Sequence, residues 1–194
     1  MEAEHEGRWH RPPPEGHVAE DLDRLPGLPS DAELIDGSIV IPSPRALSHM
    51  KALRLFESAF VRLAPRESYR VSRDISVVIG PRQRPRPDLL VVHARAEIDD
   101  EETCYPADAV VLVLEVTSRG SVTLDREWKP HLYADAGIPF HWRVERSSRG
   151  KPVVYAFERD PATQAYGPLG IFHDRVDLPV PFPIDIDLTE IDRM

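Results

Sequence analysis

The run Val110-Val111-Leu112-Val113-Leu114-Glu115-Val116 constrains this chain most. It is apolar throughout except for one acid, and valine dominates it. A run this short and this unbroken reads as a strand buried on both faces of a sheet. A second run, Leu89-Leu90-Val91-Val92, follows Pro87-Asp88 and reads the same way. Each run carries one carboxylate: Asp88 opens the earlier one and Glu115 sits near the end of the later one. An ionised carboxylate in such a place is costly unless a positive group sits on it. Downstream stand Asp125, Lys129 and Tyr133. Two acids and a lysine held at neighbouring strand and helix ends can bind a divalent metal and activate water.

Size and composition set the frame. The chain has 194 residues, 41% of them hydrophobic, enough for one domain with a real core. We expect a flexible N-terminal arm over residues 1–17 and a single domain over 18–194. Cys104 is the only cysteine, so no intrachain disulfide framework exists, which fits a reducing compartment. The opening residues are polar and lack an apolar signal region, and no apolar run approaches the length that crosses a bilayer. The expected location is the cytoplasm. The formal net charge of -9 argues against a protein that coats nucleic acid. Between Arg62 and Arg86, however, seven arginines face only Glu67 and Asp74. That local excess is compatible with phosphate contacts, and equally with a solvated arginine-rich hairpin.

Taken in order, 18–25 reads as a short helix stopped by Pro26-Gly27. Residues 32–41 read as a small hairpin turning at Asp36-Gly37. Glu33 lies on its first strand, facing either solvent or the site. Ser43-Pro44 opens a helix over 45–63, with Leu53, Phe56 and Phe60 on one apolar face and His49 beside it. Residues 69–79 alternate as a strand, and the return strand carries Asp88. An acidic loop leads into the Glu115 strand. A helix over about 122–136 then ends at Gly137, a residue suited to a left-handed cap. Pro130 inside this pattern implies a kink, or a helix that begins near Trp128. Further strands follow over 138–144, 153–158 and 169–172. Residues 176–188 read as an edge strand with an extended acidic tail. His5, His10 and His17 match no metal-ligand spacing.

A phosphodiester hydrolase needs oxygen donors for a hard cation, a polarised water and a positive group near the transition state. Asp88, Glu115 and Lys129 supply that inventory. The same residues have plainer readings: Pro-Asp is a frequent turn, Glu115 can be a buried ion-pair partner, and Lys129 can be a snorkelling surface lysine.

Several segments together carry a resemblance: Glu33-Leu34-Ile35-Asp36-Gly37, Ser43-Pro44 with His49, Pro87-Asp88-Leu89, Glu115-Val116-x-Ser118, Asp125-x-x-x-Lys129-x-x-x-Tyr133 and Trp142-x-Val144. In this order they resemble the Uma-two family, restriction-endonuclease-like proteins of the PD-(D/E)XK nuclease superfamily. The resemblance implies an α/β, restriction-endonuclease-like fold: a mixed central β-sheet flanked by helices, here with extra C-terminal strands. It implies Asp88 and Glu115 as ligands for Mg2+ or Mn2+, Lys129 as the catalytic helper and Glu33 as a third acid. The superfamily's usual lysine position, two residues past the second acid, is Thr117 here, and Lys129 on the following helix matches the shifted one. Tyr133 and Trp142 read as packing. The expected substrate is DNA. Cutting two strands is easiest for a two-fold dimer, so a homodimer is expected. Two alternatives stand beside this: an inactive nuclease-fold interaction module, and a metal hydrolase acting on another phosphoester.

Overall fold

The computed structural model describes residues 12–96, 98–99 and 101–194. In chain order the elements are α1 (Asp21–Arg24), β1 (Glu33–Ile35), β2 (Ser38–Val40), α2 (Leu47–Leu63), β3 (Tyr69–Arg73), β4 (Ser76–Val78), β5 (Leu89–His93), β6 (Cys104–Pro106) and β7 (Val110–Val116). A π-helical segment (Leu124–Trp128) then runs into α3 (Lys129–Asp135). After it come β8 (Phe140–Arg146), β9 (Pro152–Arg159), β10 (Tyr166–Phe172), β11 (Arg175–Leu178), β12 (Ile184–Asp187) and a closing 3-10 turn (Leu188–Arg193).

Six strands form the central sheet in the order β10-β9-β8-β7-β5-β3. All neighbours are antiparallel except β7 and β8, which run parallel. A parallel pair needs a long crossover, which the π-helical segment and α3 provide. All seven residues of β7 are buried, as its apolar sequence demands. Alternation along the strands then splits the core in two. Leu89, Val91, Leu112, Leu114 and Trp142 pack with Phe56 and Phe60 of α2. Leu90, Val92 and Val113 pack on the other face with Tyr133 of α3.

The β1–β2 turn forms at Asp36 and Gly37, with φ of 51° and 74°. Two positive φ values match the tight hairpin turn that asparagine or aspartate followed by glycine favours. The turn is also clamped: a Cβ on Gly37 would lie 2.6 Å from Arg82 Nε. His17 docks here, its N–H donating to Gly37 O at 2.8 Å. Residues 1–11 of the anticipated arm, with His5 and His10, lie outside the described residues.

Two elements differ from expectation, and a third shows how the expected break at Pro130 is built. The strand over 69–79 breaks at Asp74, which has φ of 55°. Its second half, β4, leaves the sheet and pairs in parallel with β6, a strand inside the acidic loop. The C-terminal region is a hairpin rather than an edge strand with a tail. In β11 and β12 buried and exposed residues alternate, so Val176, Leu178, Ile184 and Ile186 join the α2 core while the acids face outward. Third, the helix around Pro130 is wound in two ways. Proline has no N–H, and its ring crowds the carbonyl four residues back. The preceding turn widens accordingly: Lys129 N–H donates to Leu124 O, five residues back, and the α-helix starts afresh at Lys129.

Candidate active site

Lys129 stands at the start of α3, aimed by the widened turn towards the sheet. Its Nζ lies 3.0 Å from Glu115 Oε1 and 3.0 Å from Glu33 Oε2. Asp125 Oδ1 is 3.9 Å away. Glu115 reaches this face because it follows Val113 by two residues on β7, and Val113 packs with α3. Glu33 comes from β1, the hairpin laid over the sheet end. Its Oε2 also accepts the Arg86 N–H at 3.1 Å. Tyr133, one turn after Lys129, donates its hydroxyl to Glu115 Oε1 at 2.6 Å. Ser121 Oγ donates to Asp125 Oδ2 at 2.6 Å. Lys129, Glu115 and Asp125 are each 3% exposed or less, so water screens these charges little.

Asp88 belongs to the same region through the backbone. Its Oδ2 accepts the N–H of Val116, next to Glu115, at 2.8 Å. Its other oxygen faces a separate cation, with Arg45 Nη2 at 3.0 Å. His49 Nε2 is 3.2 Å from the same oxygen but off the line of a hydrogen bond. Arg45 also donates to Asp74 at 2.9 Å. Lys129 therefore gathers Glu33 and Glu115 directly, whereas Asp88 is held by Arg45 at the neighbouring strand start.

The proton affinities follow from this crowding. Burial pushes the Glu115 carboxyl well up; Lys129 opposes this, but the nearby Asp125, Asp88 and Glu33 charges add to it. Burial likewise raises Asp125 against the pull of Lys129 and Ser121. Burial alone would make Lys129 lose its proton, yet Glu115, Glu33 and Asp125 outweigh it and keep the ammonium charged. Asp88 goes the other way. Its burial is offset by His49, Arg45 and the Val116 N–H, which hold it below the usual aspartate range.

Sequence reasoning passed over Arg45 and underrated Tyr133. Arg45 lies in the extended segment just before α2, so no helical spacing in the sequence tied it to His49 or to Asp88. Tyr133 does pack, but its hydroxyl also fixes Glu115. Trp142 is purely a packing residue, edge-on to Phe60 at 5.5 Å. The arginine-rich stretch is largely spent within the molecule. Arg84 is buried and donates to Asp23 and Thr103, each at 2.6 Å. Arg73 pairs with Glu57 and Asp74, and Arg82 donates to Asp36 O.

A mixed six-stranded sheet with α2 packed on one face and α3 on the other is the architecture of the restriction-endonuclease-like class of nuclease folds. The chain belongs to the Uma2 family, described as "Putative restriction endonuclease", whose model matches residues 19–190. Among solved structures it is similar to a crystal structure titled a putative nuclease of DUF820 from Anabaena variabilis. The two share 17% identity over 88% of this chain and 96% of that one, with a TM-score of 0.62. At that identity the likeness speaks for the fold. No curated protein matches. Among the described residues no helix is long and apolar enough to cross a membrane.

Proposed function

We propose that this chain is a metal-dependent endonuclease that hydrolyses phosphodiester bonds of DNA. The observation that carries the reading is the buried ammonium of Lys129, 3.0 Å from both Glu115 and Glu33 at the end of β7. Four acids, Glu33, Asp88, Glu115 and Asp125, share this region with Lys129 and Arg45. The surplus negative charge suits a hard divalent cation. Magnesium is commonly held by only one or two carboxylates, with water and phosphate oxygens completing its shell. Asp88 and Glu115 fit that demand. Among the described residues no group of three or more His, Cys, Asp or Glu side chains is placed to hold a metal ion, these four acids included, so the ion would rest on the two carboxylates with water and phosphate oxygens. When bound, the ion would polarise the phosphoryl group and lower the pKa of a coordinated water.

The protein's own groups divide the remaining work. Lys129 presents a fixed positive charge to the anion that develops during hydrolysis. Glu33 holds that ammonium in place, and Tyr133 holds the Glu115 carboxylate. Arg45 neutralises Asp88 from outside the cluster. For a break in both strands, two copies related by a two-fold axis would act together, as a homodimer.

One observation favours a second reading. Every acid of the cluster is buried and already paired, as in a structural network inside a non-catalytic interaction module. Purified protein incubated with plasmid DNA and Mg2+ or Mn2+ separates the two. Cutting that disappears in Asp88→Asn and Lys129→Met, with a calorimetric metal-binding heat lost in Asp88→Asn, supports the nuclease. Absence of both cutting and metal heat in the wild type sinks it and leaves the interaction module.

A further inference from the structure

Beside the buried cluster lies a groove of about 900 Å³. It runs from Ser43, in the segment before α2, and His49, in the first turn of α2, past Val116 and Thr117 at the end of β7, to the β8–β9 turn. Four arginines line it, Arg119, Arg126, Arg146 and Arg149, against one acid, Glu145. That acid is doubly neutralised: Arg126 Nε donates to it at 2.8 Å and Arg143 Nε at 2.7 Å. Arg119, Arg146 and Arg149 are exposed. Among the described residues none of these three has a carboxylate within ion-pair distance. On a chain of net charge -9, this is a local reversal of sign.

We propose that this groove binds the phosphate backbone of a single nucleic-acid strand. The inference rests on the nuclease reading and extends it to the path of the substrate. Guanidinium groups match phosphate oxygens in a two-pronged geometry, and a charged groove draws a polyanion in. No Phe, Tyr or Trp lines the walls, so binding rests on phosphate contacts rather than on base stacking, and phosphate contacts carry no sequence information. Clefts of roughly 300–1,000 Å³ enclose a drug-sized molecule, which corresponds to a short length of one strand rather than a duplex. The groove also leads to the acids. His49 and Val116 form part of its wall, and these two residues stand 3.2 Å and 2.8 Å from Asp88. A strand seated there passes the Asp88 end of the cluster.

The test is fluorescence anisotropy with a labelled single-stranded DNA oligonucleotide, and the same sequence as a duplex, without divalent metal so that nothing is cut. The proteins are the wild type and Arg119→Ala/Arg149→Ala. The single strand should bind the wild type more tightly than the duplex does. The double variant should weaken it severalfold and flatten the salt dependence by about 1.4 logarithmic units, about 0.7 for each lost phosphate contact. Thermal melts should be unchanged, since both side chains are exposed. Equal affinity of the double variant and the wild type overturns the groove, as does tighter binding of the duplex, while cutting of plasmid can still stand. Strand binding that depends on these arginines in a protein that cuts nothing upholds the groove and removes the nuclease.

Discussion

Replacing Lys129 with methionine keeps the side-chain length and removes one charge from the centre of the molecule. In the wild type that ammonium lies 3.0 Å from Glu115 and Glu33 and 3.9 Å from Asp125. Its deletion strands three carboxylates in a space that water barely reaches. Removing one member of a buried ion pair costs about 3–5 kcal/mol. A folded domain has only about 5–15 kcal/mol in total. For a chain of this length each kcal/mol moves the melting temperature by about 2–4 °C. Lys129→Met should therefore melt about 6–20 °C below the wild type at neutral pH. The sign with pH is fixed. Lys129 has a proton affinity raised above the ordinary lysine value of 10.5 by its acid neighbours, so its contribution is complete below 10.5 and fades above it. In the variant the stranded acids are relieved by protonation, so the deficit should shrink as pH falls. Glu115→Gln added to Lys129→Met should restore part of the loss. The measurement is a thermal melt across mildly acid to neutral pH. A Lys129→Met protein melting within about 2 °C of the wild type, less than or about 1 kcal/mol, refutes the idea of a tight buried pair.

His141 gives a second pH test. Its ring is fully buried and its two nitrogens have no partner. Burial, and then the Arg143 and Lys129 charges, push its pKa from 6.5 to about 3. A depressed value means stability present above pH 6.5 and lost as pH falls towards 3, at about 1.4 kcal/mol for each unit. His141→Phe keeps the stacking on Phe157 and should melt with a shallower decline just below pH 6.5; parallel declines contradict this. Gly37→Ala forces a side chain into φ of 74° and against Arg82. It should cost about 1–2 kcal/mol, and an unchanged denaturation midpoint would show that the turn yields freely.

Much of the sheet could be read from the chain because its strands are defined by local pattern. Val110–Val116 has the bounds that its apolar run implies, and Asp36-Gly37 turns where two positive φ values are cheap. The pairing of β4 with β6 was not legible, because it depends on a left-handed Asp74 and on partners in an acidic loop with no apolar period. The β11–β12 hairpin was hidden by its aspartates, which mask a strict alternation of buried Val and Ile. At the site, the sequence offered Asp88, Glu115 and Lys129 as a set with Glu33 as an extra acid, and the fold puts Lys129 against Glu115 and Glu33. The attachment of Asp88 to Arg45 does not follow from that set. Arg45 lies outside α2 and meets Asp88 only through the folding of the whole sheet onto that helix.

The widened turn before α3 sets a limit on how this region can change over time. Which way Lys129 points depends on the number of residues between Ser121 and Pro130, since the extra one is what lets the backbone slip past the proline. Exchanging side chains along that stretch leaves the count intact. Gaining or losing a single residue there would rotate Lys129 by about 100° around the helix axis and swing its ammonium off the sheet.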